Sequence, residues 1–399
     1  MSRPNCNWPP PVRASSVQRI RGRTEFVKHT LTAASLTALL SVPAQAQSEA
    51  FWLHPYNFFG AETALTASVN LGDLDGDGDL DGFAVNGRHW IQQDEVFLNN
   101  GMGFFRSTRD AGPDRATGYE AALADLDGDG DLDAAIARDL LPVLLLFNDG
   151  EGNFDAARET GPVAQARSIA AADLDGDGDS DLVLVQRGEA NHYFLNDGTG
   201  NFADPVELPG EYQTIQVAIA DLDGDGHADL VFSNRGGEGV PVYRGRPGGG
   251  FAAPDMLGAA LEMEIRAVAV ADINGDGHAD ILAGGMEAQS VIFENDGMGG
   301  FGTNRRFGAQ SDVVFGLDTA DFDHDGRLDI AIANSEVANR VYLNRPDGFE
   351  TVEIGADPVD SYNLSVGDLN ADGWADIVYA VSEGSNYTVI NRFDRLSGE

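Results

Sequence analysis

Asp73-Leu74-Asp75-Gly76-Asp77-Gly78-Asp79-Leu80-Asp81 is a nine-residue stretch that recurs, with small variations, seven times, and the rest of the chain is read outward from it. The copies open at Asp73, Asp125, Asp173, Asp221, Asp272, Asp321 and Asp368, at intervals of 52, 48, 48, 51, 49 and 47 residues. A period of about fifty predicts a stacked or circular array of one supersecondary unit.

The chemistry of the stretch is that of a hard cation site. Positions 1, 3, 5 and 9 offer carboxylate or amide oxygens, position 7 adds its backbone carbonyl, and a tight turn folds these alternate residues inward. The first three copies supply Asp73, Asp75, Asp77, Asp79 and Asp81, then Asp125, Asp127, Asp129, Asp131 and Asp133, then Asp173, Asp175, Asp177, Asp179 and Asp181. The fourth and fifth supply Asp221, Asp223, Asp225, His227 and Asp229, then Asp272, Asn274, Asp276, His278 and Asp280. The last two supply Asp321, Asp323, Asp325, Arg327 and Asp329, then Asp368, Asn370, Asp372, Trp374 and Asp376. Oxygen ligands without His or Cys at the side-chain positions select calcium, up to seven ions, in a structural role because so full a shell leaves little room for substrate. Asn274 and Asn370 remove one charge each and predict weaker sites. Gly at position 6 in every copy, from Gly78 to Gly373, marks a bend with positive φ. Calcium-binding helix-loop-helix proteins are excluded, because their Glu at position 12 is replaced here by Ala84, Ile136, Leu184, Phe232, Ala283, Ile332 and Tyr379. A single such stretch reads equally well as a solvated acidic turn; seven in register do not.

The whole chain agrees with a large acidic globule. Its 399 residues are 42% hydrophobic and carry a net charge of −40, which excludes nucleic acid and membrane insertion as partners. Leu31 to Leu40 is a short apolar run after Arg19, Arg21, Arg23 and Lys28 and before Ala44-Gln45-Ala46. Residues 1–46 therefore read as a secretory signal cleaved after Ala46, with translation starting near Val27, and residues 47–399 as the mature domain, periplasmic or extracellular. The chain's one Cys, Cys6, lies in the removed segment, so calcium takes the place of disulfides.

Each repeat reads as four strands. Ser168 to Asp173 leads into a loop and Leu182-Val183-Leu184-Val185 leads out of it; a third strand ends in an Asn-Asp-Gly turn such as Asn148-Asp149-Gly150, and a weaker fourth follows. No helical period appears after residue 46. Small residues immediately before the loops (Gly72, Ala124, Ala172, Ala220, Ala271, Ala320, Gly367) suit innermost strands crowded around an axis. The expectation is an all-β, seven-bladed β-propeller with a calcium-binding loop in each blade. The last repeat stops after its third strand, so the N-terminal strand within Glu49 to Phe59 is expected to complete it and close the ring.

At these residues the sequence resembles the VCBS and FG-GAP repeat families, calcium-loop propeller repeats related to the head of integrin α-subunits and to some fungal seven-bladed lectins. The resemblance covers about residues 49–399, and Asp-x-Asp/Asn-x-Asp-Gly-x-x-Asp is matched in every repeat. The Gly-Ala-Pro signature of integrin-type repeats is missing after the loops, so the plainer VCBS pattern fits better. The resemblance implies loops on one face of the disc and ligands on the other.

On that second face the turn after the second strand carries Arg88, Arg138, Arg187 and Arg235 in the first four repeats, with His89 and Trp90 beside the first. Tyr119, Arg167, Tyr212 and Arg266 lie in neighbouring turns. Arginine forks with aromatic platforms suit a carboxylated or sulfated sugar; the competing readings are that each Arg pairs with a neighbouring acid and that Trp90 is core. No nucleophile, base or open metal site is apparent. The expected function is a non-catalytic binding module for extracellular polysaccharide, ahead of a scaffold for a cell-surface protein and of a sugar lyase or hydrolase.

Overall fold

A leading strand and a following strand flank every loop and pair antiparallel, and in the computed structural model these seven hairpins organise everything else. The structure describes residues 50–53, 57–355 and 359–396, within the unit Val42–Glu399, so the secretory signal and its cleavage site lie outside the described residues. The leading strands are Thr66–Gly72, Gly118–Ala124, the end of Ala156–Ala172, Thr214–Ala220, Ile265–Ala271, Val314–Ala320 and Ser361–Gly367. Consecutive leading strands touch, and the last touches the first, so they form a closed circuit. The small residue before each loop permits this approach: a Cβ on Gly72 would come within 2.7 Å of a Leu132 methyl, and one on Gly367 within 2.6 Å of a Leu80 methyl.

The fold is an all-β propeller, with one correction. Hydrogen bonding joins the strands into six sheets, so the propeller has six blades where seven were expected. Strands Asp133–Phe147 and Ala156–Ala172 run on without a break through the turns that separate strands elsewhere, and so the second and third repeats share one six-stranded sheet. Four other sheets have four strands each. In the last, Phe51–Trp52 and Phe58–Phe59 both pair with Asn386–Asn391, the third strand of the final repeat.

Packing follows the repeats. Each seam between consecutive repeats holds one apolar cluster, and each cluster contains the residue at loop position 2: Leu74, Leu126, Leu174, Leu222, Ile273, Phe322 or Leu369, all nearly or fully buried. The seam between the last repeat and the first also takes Phe59, whose ring lies 4.9 Å from that of Phe97 and 4.6 Å from that of Phe105. Among the described residues no helix is long and apolar enough to cross a membrane.

Candidate metal loops and the arginine face

Each loop is shaped by its own carboxylates. Asp73 Oδ1 accepts the Gly76 N–H at 2.9 Å and its Oδ2 the Gly78 N–H at 3.1 Å, while Asp77 Oδ1 accepts the Asp79 N–H at 2.9 Å. The position 9 carboxylate is buried in all seven loops and braces the loop against the sheet. In the first loop Asp81 accepts the N–H of Leu74 at 3.1 Å and that of Asn99 at 2.7 Å; burial raises its pKa to about 6, against those two hydrogen bonds.

The donor set fits a hard cation unevenly. In the first three loops carboxylate oxygens at positions 1, 3 and 9 gather within 4.8 Å of one another; in the fourth and sixth the gathered groups are at positions 1, 3 and 5. Asp75, Asp127 and Asp223 each hold one buried Oδ1 without a hydrogen-bond partner, an orphaned acceptor facing the place a cation would fill. The sixth loop differs: guanidinium groups of Arg345 and Arg327 enter it, the first bonded to Asp323 and Asp325 and the second to Asp325. Arg327 thus brings a cationic side chain as well as a position 7 carbonyl. Position 7 side chains elsewhere lean away: Asp79, Asp131, Asp179 and His278 lie against Gly101, Gly150, Gly198 and Gly297 of the following turns. Trp374 stacks on His324 of the adjacent loop at 3.7 Å.

An asparagine outside the nine-residue motif locks the loops together. Asn148 Nδ2 donates at 2.8 Å to the carbonyl of Leu74 in the preceding loop, while its backbone N–H donates to Asp133 of its own. Asn99, Asn196, Asn295, Asn344 and Asn391 repeat this clasp, always at 2.8 Å, and Asn99 reaches Leu369 in the last repeat. The fourth repeat has Gly245 there; its neighbour Arg244 bonds Asp229 and the Gly299 carbonyl instead. The Asn at the start of the turn after the third strand was the available signal; at Asn148, Asn196 and Asn295 it opens an Asn-Asp-Gly turn.

At the other end of the hairpins the expected arginine arc is broken. Arg138 is buried and bonded to the Pro142 carbonyl and Glu159, and Arg235 pairs with Glu264 across a seam at 3.2 Å. Arg187 is exposed and reaches only Gln213. Arg88, at φ 52°, donates to Ser382 Oγ and lies 4.3 Å from the centre of the Tyr362 ring. His89 joins Asp139 at 2.8 Å and Tyr119, whereas Trp90 is 68% exposed, which removes the core reading for it.

What converges instead is one residue per repeat, six places before the first loop Asp. In every hairpin the leading strand is bulged near its far end, and the residue at or beside the register shift is Ala67, Tyr119, Arg167, Ile215, Arg266, Phe315 or Tyr362. A bulge re-aims its extra side chain, and these seven line a single cavity. Arg167 stacks on Tyr119 at 4.4 Å and pairs with Asp139 at 2.8 Å; Arg266 lies 3.8 Å from the Phe315 ring centre and 4.6 Å from that of Tyr362. Burial alone would raise the Tyr362 phenol, but Arg266, Arg88 and Arg167 outweigh it and hold it below its ordinary value. Farther out, a groove of about 780 Å³ runs between the fourth, fifth and sixth repeats, lined by Arg235 and Arg306, by Met263, Met286 and Gln289, and by the acids Glu262, Glu264 and Glu287.

Strand hairpins set round an axis, with acidic loops at one end and a basic, aromatic mouth at the other, define a repeat propeller. The model of the FG-GAP-like repeat matches residues 73–136, 173–232, 221–283 and 321–379, more than half of the sequence, and the chain belongs to that family. No curated protein matches in sequence. Among solved structures, BBS1N in complex with ARL6DN is similar with a TM-score of 0.57 at 12% identity, over 84% of this chain and 97% of that one. The BP39L lectin from Burkholderia pseudomallei is similar with a TM-score of 0.61 at 13% identity, over 82% of this chain and 96% of its own. At such identities the likeness establishes the fold.

Proposed function

We propose that this protein is a secreted, calcium-stabilised, non-catalytic binding module for an anionic extracellular carbohydrate. The groove at the end of the hairpins away from the acidic loops carries this reading. Its volume of about 780 Å³ suits a short stretch of polysaccharide. Arg306, and Arg235 where the ligand displaces Glu264, offer planar forks to carboxylate or sulfate, and Met263 and Met286 offer apolar surface to a sugar ring. BP39L is a lectin, and this adds weight to a glycan ligand.

Calcium belongs to the same reading. The first four loops, with three gathered carboxylates each, are the strongest candidates; Asn274 and Asn370 weaken the fifth and seventh, and Arg345 competes in the sixth. Cleavage after Ala46 would release residues 47–399 as the mature domain, and pairing of the N-terminal strands with Asn386–Asn391 would close the ring.

A second reading, a scaffold for a protein partner, is favoured by the exposed apolar side chains Trp90, Ile91, Leu140 and Val163 at the same end. BBS1N, crystallised in complex with ARL6DN, is a protein-binding example of the fold. The test is binding of the mature protein, in calcium, to an array of neutral and acidic polysaccharides. Salt-sensitive binding to acidic glycans, lost in the Arg235→Ala, Arg306→Ala double variant, is expected. A blank array, or binding unchanged in the double variant, would overturn the carbohydrate reading.

A further inference from the structure

We infer that the axial mouth formed by the bulged residues is a binding site for a single carboxylate group, presented by an acidic sugar. The choice of sugar rests on the function proposed above; the anion site rests on the geometry of the mouth.

Arg266 is the centre of the argument. It is 6% exposed, no acid of the described residues lies within ion-pair distance, and its Nε has no hydrogen-bond partner. A buried guanidinium without a counter-charge is costly, and the anomaly is sharper in a chain of net charge −40, where acids are plentiful. The Phe315 ring and the ring and phenol of Tyr362, the latter hydrogen-bonded to the guanidinium, hold the group in place, but neither is an acid that would neutralise it. Arg167 lines the same cavity, held by Asp139 on one side and the Tyr119 ring on the other. Two guanidinium groups and the side chains of Tyr119 and Tyr362 therefore line one cavity, with the Tyr119 hydroxyl also meeting His89.

The acid in the cavity does not fill this role. Glu120 takes its hydrogen bonds from Ser168 and Asn363, and burial pushes its carboxyl up to about 7 despite them. The cavity measures about 30 Å³, room for a group of about two or three heavy atoms. A sugar ring is too large, so it would rest outside, beside Arg88 and His89, and only its carboxylate would enter. A guanidinium fork matches the two oxygens of a planar carboxylate.

The measurement is calorimetric titration of the mature protein in calcium, at constant ionic strength, with D-glucuronate, D-glucose and L-glutamate. Glucuronate is expected to bind at one site per chain and glucose not at all. Arg266→Met is expected to weaken glucuronate at least tenfold, and Tyr362→Phe, which keeps the ring, severalfold; the second variant serves if the first does not fold. No glucuronate binding, or affinity unmoved in both variants, overturns the site. Acidic polysaccharide binding that survives Arg266→Met would leave the groove reading intact and sink this one. Arg266-dependent binding of glutamate as tight as that of glucuronate would overturn the assignment to a sugar, whatever the array shows.

Discussion

Two loop positions, not one, demand a left-handed backbone. Position 6 is Gly throughout, and position 4 also has positive φ: Gly76, Gly128, Gly176, Gly224 and Gly275 meet the demand freely, whereas His324 and Ala371 sit there at 56° each. An L-residue pays about 1–2 kcal/mol for that conformation, and Gly gives back about 0.5–1 kcal/mol in chain entropy. Ala371→Gly is therefore expected to stabilise the folded protein by roughly 0.5–1 kcal/mol, read as a higher urea midpoint with an unchanged slope. In the sixth loop the guanidinium of Arg345 occupies carboxylates that a cation would need. Arg345→Met should therefore increase the number of calcium ions bound per chain, or tighten the weakest class, in a direct titration. The motif alone shows the donors of that loop but not their competitor, because Arg345 arrives from the end of the third strand, outside the nine residues.

At the scale of the element, the hairpin and its clasp are the unit of stability. Each clasping Asn ties its own loop to the one before it, so the loops are linked by buried hydrogen bonds as well as by apolar seams. Asn148→Ala leaves the carbonyls of Leu74 and Leu132 without that partner. The expected loss is about 1–3 kcal/mol, measured by denaturant unfolding. The bulge near the far end of each leading strand is equally regular, yet its consequence differs from repeat to repeat because the re-aimed residue changes. Strand positions were legible from alternation and spacing. The bulges were not, since a register shift depends on where two paired strands part at the far turn.

For the molecule as a whole, calcium bound at the proposed loop sites would act as a folding ligand. At 1 mM calcium, sites with dissociation constants of about 10⁻⁴ to 10⁻³ M would each add about 0.4 to 1.4 kcal/mol. The melting temperature is expected to fall on chelation; identical curves with and without chelator would contradict linkage of the loops to folding. Proton linkage in the metal-free protein has a definite sign. Burial raises Glu120 to about 7 and Asp318 to about 6, in each case against the hydrogen bonds each accepts, so the folded state favours their protonated forms. Their contribution is complete below the unfolded value of about 4 and is lost as pH rises through about 6 to 7. Stability in chelator should decline across that window, and Glu120→Gln should make the decline shallower.

The sequence by itself determined the repeat, the hairpins, the acidic loops and the propeller class, because each nine-residue loop and its flanking strands are specified by contiguous residues and local backbone bonds. The extent of each sheet was decided only by tertiary structure: two strands that continue through their turns merge the second and third repeats, so the propeller has six blades and not seven. The makeup of the end away from the acidic loops was decided there too. Arg138 looked equivalent to Arg88 by its offset but turned to Glu159. Meanwhile Arg167, Arg266 and Tyr362, in different repeats, met at the axis. Spacing along a chain states which residues are equivalent; only closure of the circuit brings equivalent residues to one point, and only the ions and rings already there decide which of them keep their charge free.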